Sequence, residues 1–317
     1  MKYRRLGESG MKVSVVSLGS WLTFGTTVEK SRVVEIVRTA YDAGVNFYDT
    51  ADIYGRGLAE TCLGEVLKEY RREDLVLASK CFWPMSDGIN DRGLSRKHLI
   101  EAVHASLSRL KTEYLDLYQC HRYDPETPVA EVVQTMDDLC RQGKILYWGV
   151  SCWSADQISE AVRCSEHFRS HPLRSNQPPY NMIDRSIEAE ILPVSARLGV
   201  GQIVFSPLAQ GVLTGKYSGG KIPDGSRASN ESINQFLLPR MTPRNLAMVD
   251  ELREIAQEMD CSLAQLALSW CLRNPEVASV IVGATSPRQM TENVGAASIE
   301  LPDEILQRIE SVLSRKD

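Results

Sequence analysis

The sequence lacks the features that would place it in a membrane or a nucleic-acid-binding class. No apolar run approaches the roughly 20 residues of a membrane helix, and no signal-peptide core follows the charged segment Met1–Arg5. There is no basic excess either, since 36 Lys and Arg stand against 41 Asp and Glu, for a formal net charge of -5. We therefore expect a cytoplasmic protein that neither enters a membrane nor binds nucleic acid.

Metal-ligand spacings are also missing. The eight cysteines are scattered, without a C-x-x-C pair and without histidines at zinc-finger spacing. The sequence predicts no metal site, and it predicts reduced thiols rather than disulfides. At 43% hydrophobic and 24% charged residues, the composition is that of an ordinary globular protein.

Short runs rich in β-branched residues recur along the chain, and each is followed by an amphipathic helical pattern. Strict strand-helix alternation indicates a parallel sheet, and eight repeats favour closure into a (β/α)8 TIM barrel. We predict this α/β fold as one domain over residues 1–317. The predicted strands are Val13–Ser20, Asn46–Thr50, Leu75–Lys80, Leu115–His121, Ile145–Ser151, Arg174–Asn181, Gly201–Leu208 and Val277–Ala284.

Both ends of the chain depart from the repeat. Tyr3–Arg5 and Lys12–Val15 flank the turn-forming segment Gly7-Glu8-Ser9-Gly10, which predicts a β-hairpin over the bottom of the barrel. At the other end, Leu301–Leu313 has the pattern of a closing helix.

Two connections exceed normal lengths, and in a barrel such insertions usually serve the functional face. They are Cys81–Gly93 and Lys216–Pro243. The second is rich in Gly, Ser and Pro without clear periodicity, so it is either a loop that covers a cofactor or a disordered excursion.

Four polar residues stand at or just after consecutive predicted strand ends: Asp49, Tyr54, Lys80 and His121. Strand ends of a barrel meet at one mouth, so these side chains can share a site. An ammonium beside a phenol lowers its pKa, and Asp49 would keep Lys80 charged. Tyr54 can then donate a proton while His121 orients a carbonyl group. Taken singly, each of the four also has an ordinary structural explanation.

The segment Asn46-Phe47-Tyr48-Asp49-Thr50-Ala51-Asp52-Ile53-Tyr54-Gly55 resembles a motif of the aldo-keto reductases. The lysine of Leu77-Ala78-Ser79-Lys80 and the histidine of Tyr118-Gln119-Cys120-His121 fall where that family places the rest of its catalytic tetrad. The likeness continues through Gly149–Ser151, Asn176–Pro178, Ser206–Gly211 and Gly283–Asn293, which look like the family's cofactor segments in order.

This resemblance implies NADPH as the cofactor, reduction of aldehydes or ketones as the reaction, and a set of cofactor contacts. In that scheme Ser151 and Gln177 hold the carboxamide, Phe205 stacks on the nicotinamide, and Arg288 suits a 2′-phosphate. The complete set of implied contacts is Ser20, Trp21, Asp49, Ser151, Gln177, Phe205, Ser206, Pro207, Leu208, Gln210, Gly211, Lys216, Arg227, Gly283, Thr285, Arg288, Gln289, Glu292 and Asn293.

A different dinucleotide motif begins at Gly55-Arg56-Gly57 but is not completed. Glu60 occupies the place of the third glycine of G-x-G-x-x-G, where its carboxylate would repel a pyrophosphate. Barrels instead bind phosphates at the loops after the seventh and eighth strands. We therefore predict the cofactor there and not at Gly55.

Aromatic residues near the mouth are candidates for the substrate pocket, because such walls hold apolar carbonyl compounds. The predicted pocket comprises Trp21, Tyr54, Trp83, His121 and Tyr123. The pattern does not identify the substrate.

Within the superfamily, Gly19–Gly25, Lys216-Tyr217 and Ser226–Ala228 look most like the β subunits of voltage-gated potassium channels and their bacterial relatives. That likeness implies a second function, an NADP(H)-binding regulatory subunit with slow turnover, and assembly as a tetramer or larger ring. His121 stands where channel subunits tend to carry asparagine, which favours an enzyme. A non-catalytic barrel is a third alternative, and it predicts no NADPH binding.

Overall fold

The computed structural model describes residues 1–231 and 233–315. The chain starts with an antiparallel hairpin of β1 (Tyr3–Arg5) and β2 (Lys12–Ser14), as predicted. Gly7 in its turn has a φ of +53°, and a Cβ there would lie 2.3 Å from the carbonyl oxygen of Gly199, so only glycine fits.

Eight parallel strands follow, and consecutive ones are neighbours. They are β3 (Val16–Gly19), β4 (Phe47–Asp49), β5 (Val76–Cys81), β6 (Leu115–Cys120), β7 (Ile145–Ser151), β8 (Ser175–Gln177), β9 (Gly201–Val204) and β10 (Val277–Val282). β10 pairs with both β3 and β9, which closes the barrel. The predicted (β/α)8 barrel is confirmed.

Helices surround this barrel, and each turns an apolar face towards the strands. They are α1 (Lys30–Asp42), α2 (Leu58–Leu67), α3 (Arg96–Leu110), α4 (Val129–Arg141), α5 (Ala155–Phe168), α6 (Ile191–Arg197), α7 (Pro243–Glu258), α8 (Leu263–Leu272), α9 (Pro287–Gly295) and α10 (Asp303–Leu313). The last is the predicted closing helix, two residues shorter at its start. No helix of the described residues has the length and apolar character needed to cross a membrane.

The hairpin closes the bottom of the barrel. Leu6 and Val13 are fully buried and belong to one apolar cluster with Phe47 and Val76, which begin barrel strands, and with Leu117. The opposite mouth, where the strands end, is therefore the open end of the barrel.

Several strands are shorter than predicted. β3 begins at Val16 rather than at residue 13, because residues 12–14 pair with β1 and the Ser14 hydroxyl donates to the carbonyl of Val16. β8 covers only three of the eight residues predicted for it. β8 ends at Gln177 because Pro178 and Pro179, which follow it, have no backbone N–H to donate to the ladder.

Candidate active site

The tetrad residues lie at the ends of neighbouring strands. Asp49 ends β4, Lys80 is the penultimate residue of β5, and His121 follows the last residue of β6. The parallel register pairs Asp49 with Ala78 and Lys80 with Gln119, so these ends meet at one level of the barrel. Successive residues of a strand face opposite sides, and Lys80 faces the interior.

Lys80 forms the centre of the tetrad. Its Nζ lies 2.5 Å from Oδ2 of Asp49, 2.8 Å from the carbonyl oxygen of Thr50 and 3.5 Å from Oη of Tyr54. The side chain is fully buried, so the charge depends on these partners rather than on water. An ammonium, a carboxylate and a phenol therefore share one site, as the spacing predicts.

For both Lys80 and Tyr54, burial and neighbouring charges shift the pKa in opposite directions. Burial alone would lower the pKa of Lys80, but Asp49 and the Tyr54 oxygen raise it, and the net direction is upward. For Tyr54 burial raises the pKa, and Lys80 lowers it by a smaller amount, so the phenol ends above its ordinary value. The direction differs from the expected lowering because desolvation of the phenolate outweighs the attraction of Lys80.

His121 completes the site from the other side of Tyr54. The two ring centroids are 5.7 Å apart, edge to face. Burial lowers the pKa of His121 well below its ordinary value, and the nearby charges of Lys80 and Arg122 add to that effect. The lowered pKa favours the neutral imidazole, which can form hydrogen bonds but carries no charge.

A glutamine extends the tetrad towards β8. Gln177 Nε2 donates to Asp49 Oδ1 over 2.9 Å, so Asp49 is held by Lys80 on one oxygen and by Gln177 on the other. The Ser151 hydroxyl donates to the backbone carbonyl of Gln177 over 2.8 Å. The two residues expected to hold a carboxamide therefore lie together beside the tetrad.

One cavity of about 1810 Å³ opens above these residues. Every residue predicted to bind the cofactor lines it except Ser20 and Arg288, and so do Tyr54, Trp83 and His121. Ser20 is buried behind the wall and donates to the Thr50 hydroxyl. Arg288 is exposed at the start of α9, outside the cavity lining.

The long connection after β9 forms one wall of this cavity. Around Ser232, which lies outside the described residues, the segment 216–243 folds into short 3₁₀ turns. From it Phe236 packs edge to face on Trp21 with ring centroids 5.0 Å apart, and Arg227 lies over the same indole and donates to Gln210. The segment lines the cavity in an ordered form, and its role in covering a cofactor stays a prediction.

One predicted pocket residue lies elsewhere. The ring of Tyr123 packs edge to face on Trp153, with centroids 5.1 Å apart, and is not among the residues that line the cavity in the described chain. The structure also explains why the glycine motif at Gly55 is incomplete. Glu60, in the place of the third glycine, faces away from the cavity and accepts hydrogen bonds from Ser79 and Arg109.

Several lining residues were missed by the reasoning from sequence, among them Arg122 and Phe236. Arg122 directly follows His121, and its position after a strand end could have indicated it. Phe236 had no such signal, because it lies in a segment without periodicity.

Comparisons with known proteins agree with this geometry. Residues 15–314 match the family model described as the Aldo/keto reductase family. Over 321 aligned residues, covering 100% of this chain and 98% of the relative, the chain is 41% identical to a protein of Oryza sativa subsp. japonica named "Probable voltage-gated potassium channel subunit beta". A protein of Arabidopsis thaliana with the same name is 42% identical over the same coverage.

Proposed function

The chain belongs to the aldo/keto reductase family, and from this we propose that it reduces aldehydes or ketones to alcohols with NADPH. One observation carries the proposal: Lys80 Nζ contacts both Asp49 and Tyr54, and the last two line the cavity beside His121. A phenol held against a buried ammonium is a proton donor placed for chemistry, and packing alone does not require it.

The residues around the cavity suit a dinucleotide phosphate. Lys216 and Arg227 line it and have no carboxylate partner among residues 1–231 and 233–315, which leaves two cations for phosphate groups. Gln177 donates its amide N–H to Asp49, so its amide oxygen can accept from the carboxamide of a nicotinamide. When bound, NADPH would supply the hydride that none of these side chains can provide.

The chain's own residues would supply the proton and hold the substrate. Tyr54 donates its phenolic proton to the carbonyl oxygen, and the neighbouring Lys80 charge stabilises the phenolate that is left. Neutral His121 hydrogen-bonds the same carbonyl oxygen and fixes its direction. Asp49 keeps Lys80 protonated in a site that excludes water from it.

The test is NADPH oxidation across a panel of aldehydes and ketones, with Asp49→Asn as the inactive comparison. We expect substrate-dependent oxidation in the wild type and a loss of about 10²- to 10⁴-fold in the variant, which is the usual contribution of positioned acid-base groups. Quenching of tryptophan fluorescence shows whether the variant still binds NADPH, which separates a loss of the chemical step from a loss of the cofactor. Absence of turnover over the whole panel, with NADPH bound, would contradict the proposal.

The names of the relatives support a second candidate, a potassium-channel β subunit. For this chain we take that candidate to be a regulatory subunit that binds NADP(H) and turns over slowly. This candidate predicts tight NADPH binding without turnover at enzyme rates, a tetramer or larger ring by light scattering, and association with a membrane protein. His121 favours the enzyme, because a neutral imidazole beside Tyr54 can orient a carbonyl group. A chain that binds no NADPH would contradict both candidates.

A further inference from the structure

A second cation besides Lys80 lies next to the tetrad, and it is not part of the tetrad. Arg122 follows His121 in the sequence and lines the same cavity. Its Nη1 donates to the carbonyl oxygen of His121 over 2.5 Å and lies 3.5 Å from the Ser151 hydroxyl. Its guanidinium carbon lies 5.7 Å from the ring centroid of Trp83, an aromatic residue of the cavity wall.

Four other partly buried arginines of this protein have carboxylate partners. The nitrogen-oxygen distances are 2.7 Å for Arg72 and Asp116, 2.6 Å for Arg109 and Glu60, 2.7 Å for Arg185 and Glu188, and 3.2 Å for Arg273 and Glu188. Within residues 1–231 and 233–315, Arg122 has no carboxylate within 4.0 Å. Like Arg227 in the same cavity, and unlike these four arginines, Arg122 carries a charge that no carboxylate of the described residues balances.

The acidic group nearest to Arg122 in sequence is engaged elsewhere. Asp124 accepts hydrogen bonds from the backbone N–H groups of Leu94 and Glu126 and from the hydroxyl of Thr127. In the described chain neither Nε nor Nη2 of Arg122 has a protein acceptor, out of the five N–H donors that a guanidinium carries. These N–H groups are available to donate hydrogen bonds to a ligand.

The charge of Arg122 is not balanced by the tetrad. Asp49 is paired with Lys80, so it is not a free anion for Arg122. His121 is held neutral by its burial, so it does not compete with Arg122 as a cation. A planar guanidinium in that setting binds a carboxylate or a phosphate through two parallel hydrogen bonds.

We propose that Arg122 determines substrate specificity by binding the anionic group of an acid-bearing aldehyde or ketone whose carbonyl oxygen faces Tyr54 and His121. This inference rests on the proposed reductase function and narrows its substrate class. A carboxylate and a phosphate present the same chemistry to Arg122, and the assay separates them.

The test compares each acid with a neutral partner of similar size: succinic semialdehyde with its methyl ester, and glycolaldehyde phosphate with glycolaldehyde. We expect kcat/KM of the wild type to favour at least one acid, and Arg122→Gln to lower kcat/KM for that acid by about 10- to 100-fold, chiefly through KM. The neutral partners should change by less than about three-fold. Arg122→Lys should retain part of the preference, because it keeps the charge but loses the paired geometry.

Arg96→Gln is the matched control, since Arg96 is paired with Asp138 on the helical surface and lies outside the cavity lining. It removes the same charge and should leave the acid-to-neutral ratio unchanged. Equal loss for acids and neutral partners in Arg122→Gln, or a matching loss of NADPH affinity, would overturn the proposal. The first result would show a structural role for Arg122, and the second a cofactor contact.

A binding measurement separates failure of this inference from failure of the reductase function. Protein loaded with NADP⁺ is titrated calorimetrically with benzoate and with the neutral isostere benzamide. We expect benzoate to bind at least about 10-fold more tightly, and Arg122→Gln to abolish the difference. If no carbonyl compound is reduced but this difference is present, the reductase function fails and the anion site stands. If carbonyls are reduced but neither benzoate nor an acid-bearing carbonyl is preferred over its neutral partner, only the proposed anion site is contradicted.

Discussion

Two buried carboxylate-cation pairs lie on opposite sides of the same strand. Lys80 of β5 faces the barrel interior and pairs with Asp49, whereas the preceding residue, Ser79, faces outward and donates to Glu60, which pairs with Arg109. The Lys80 and Glu60 side chains are both fully buried. The period of two along a strand thus directs the adjacent residues Ser79 and Lys80 to two different ion pairs.

The difference lies in what else each pair contacts. Glu60 ties α2 to α3 and to β5, and both of its oxygens are bonded to protein groups. The inner pair contacts Tyr54, and Asp49 lines an open cavity. An ion pair whose carboxylate is bonded only to protein groups holds elements together, whereas one that shares a phenol with a cavity can act on a ligand.

The largest effect should come from breaking the inner pair. Lys80→Met removes the cation that stabilises the phenolate, and we expect kcat/KM for carbonyl reduction to fall by about 10³-fold or more. The variant also leaves Asp49 buried without its partner, so unfolding by urea will show a loss of stability. Normal kcat/KM in correctly folded Lys80→Met would contradict the role given to this pair.

Breaking the outer pair should affect stability instead. Glu60→Gln leaves Arg109 without its carboxylate, and we expect about 3 kcal/mol less free energy of unfolding, the lower end for a broken buried pair because Arg109 is a quarter exposed. Chemical denaturation measures this, and kcat per folded molecule should stay within a few-fold. A large loss of kcat in the folded variant would place Glu60 in the chemistry.

The pH dependence separates the two pairs further. The proton donor must be protonated, so kcat/KM should be level through neutral pH and fall only as pH rises through the pKa of Tyr54. Burial holds that pKa above its ordinary value of 10.0. Since Lys80 lowers this pKa, the residual activity of Lys80→Met should fall at a still higher pH, while Glu60→Gln keeps the wild-type profile. A fall near pH 8 in the wild type would contradict Tyr54 as the donor.

A smaller effect on the cofactor is expected in the segment 216–243, which forms one wall of the cavity. Phe236→Ala removes the edge-to-face contact with Trp21, and the cofactor should dissociate about 2- to 10-fold faster, in line with the energy of an aromatic pair. Stopped-flow release of NADPH measures this rate, and the chemical step in a single turnover should be unchanged. An unchanged release rate would show that the segment does not hold the cofactor.

Sequence reasoning reached the barrel and the tetrad because both follow from regular features. Strand-helix alternation repeats eight times, and parallel strands bring their ends to one mouth, so Asp49, Lys80 and His121 had to converge. It did not reach the strand lengths, since residues 12–14 pair with β1 instead of extending β3, and the prolines after Gln177 end β8.

The same reasoning could not predict which way loop side chains point. Tyr123 was predicted to line the pocket but packs on Trp153, whereas its neighbour Arg122 lines the cavity. No periodicity sets which way a loop side chain points; tertiary packing decides it. The rise in the Tyr54 pKa was missed for a related reason, because the extent of burial is a property of the folded site.

The central claim is tested most directly by comparing two tyrosines only six residues apart. Tyr54→Phe removes the hydroxyl beside Lys80, whereas Tyr48→Phe removes a buried hydroxyl that only donates to the carbonyl of Val45. We expect NADPH-dependent reduction of an active aldehyde to fall by at least about 10²-fold in Tyr54→Phe and to stay within a few-fold in Tyr48→Phe. Equal activity of the two variants would contradict the assignment of Tyr54 as the proton donor.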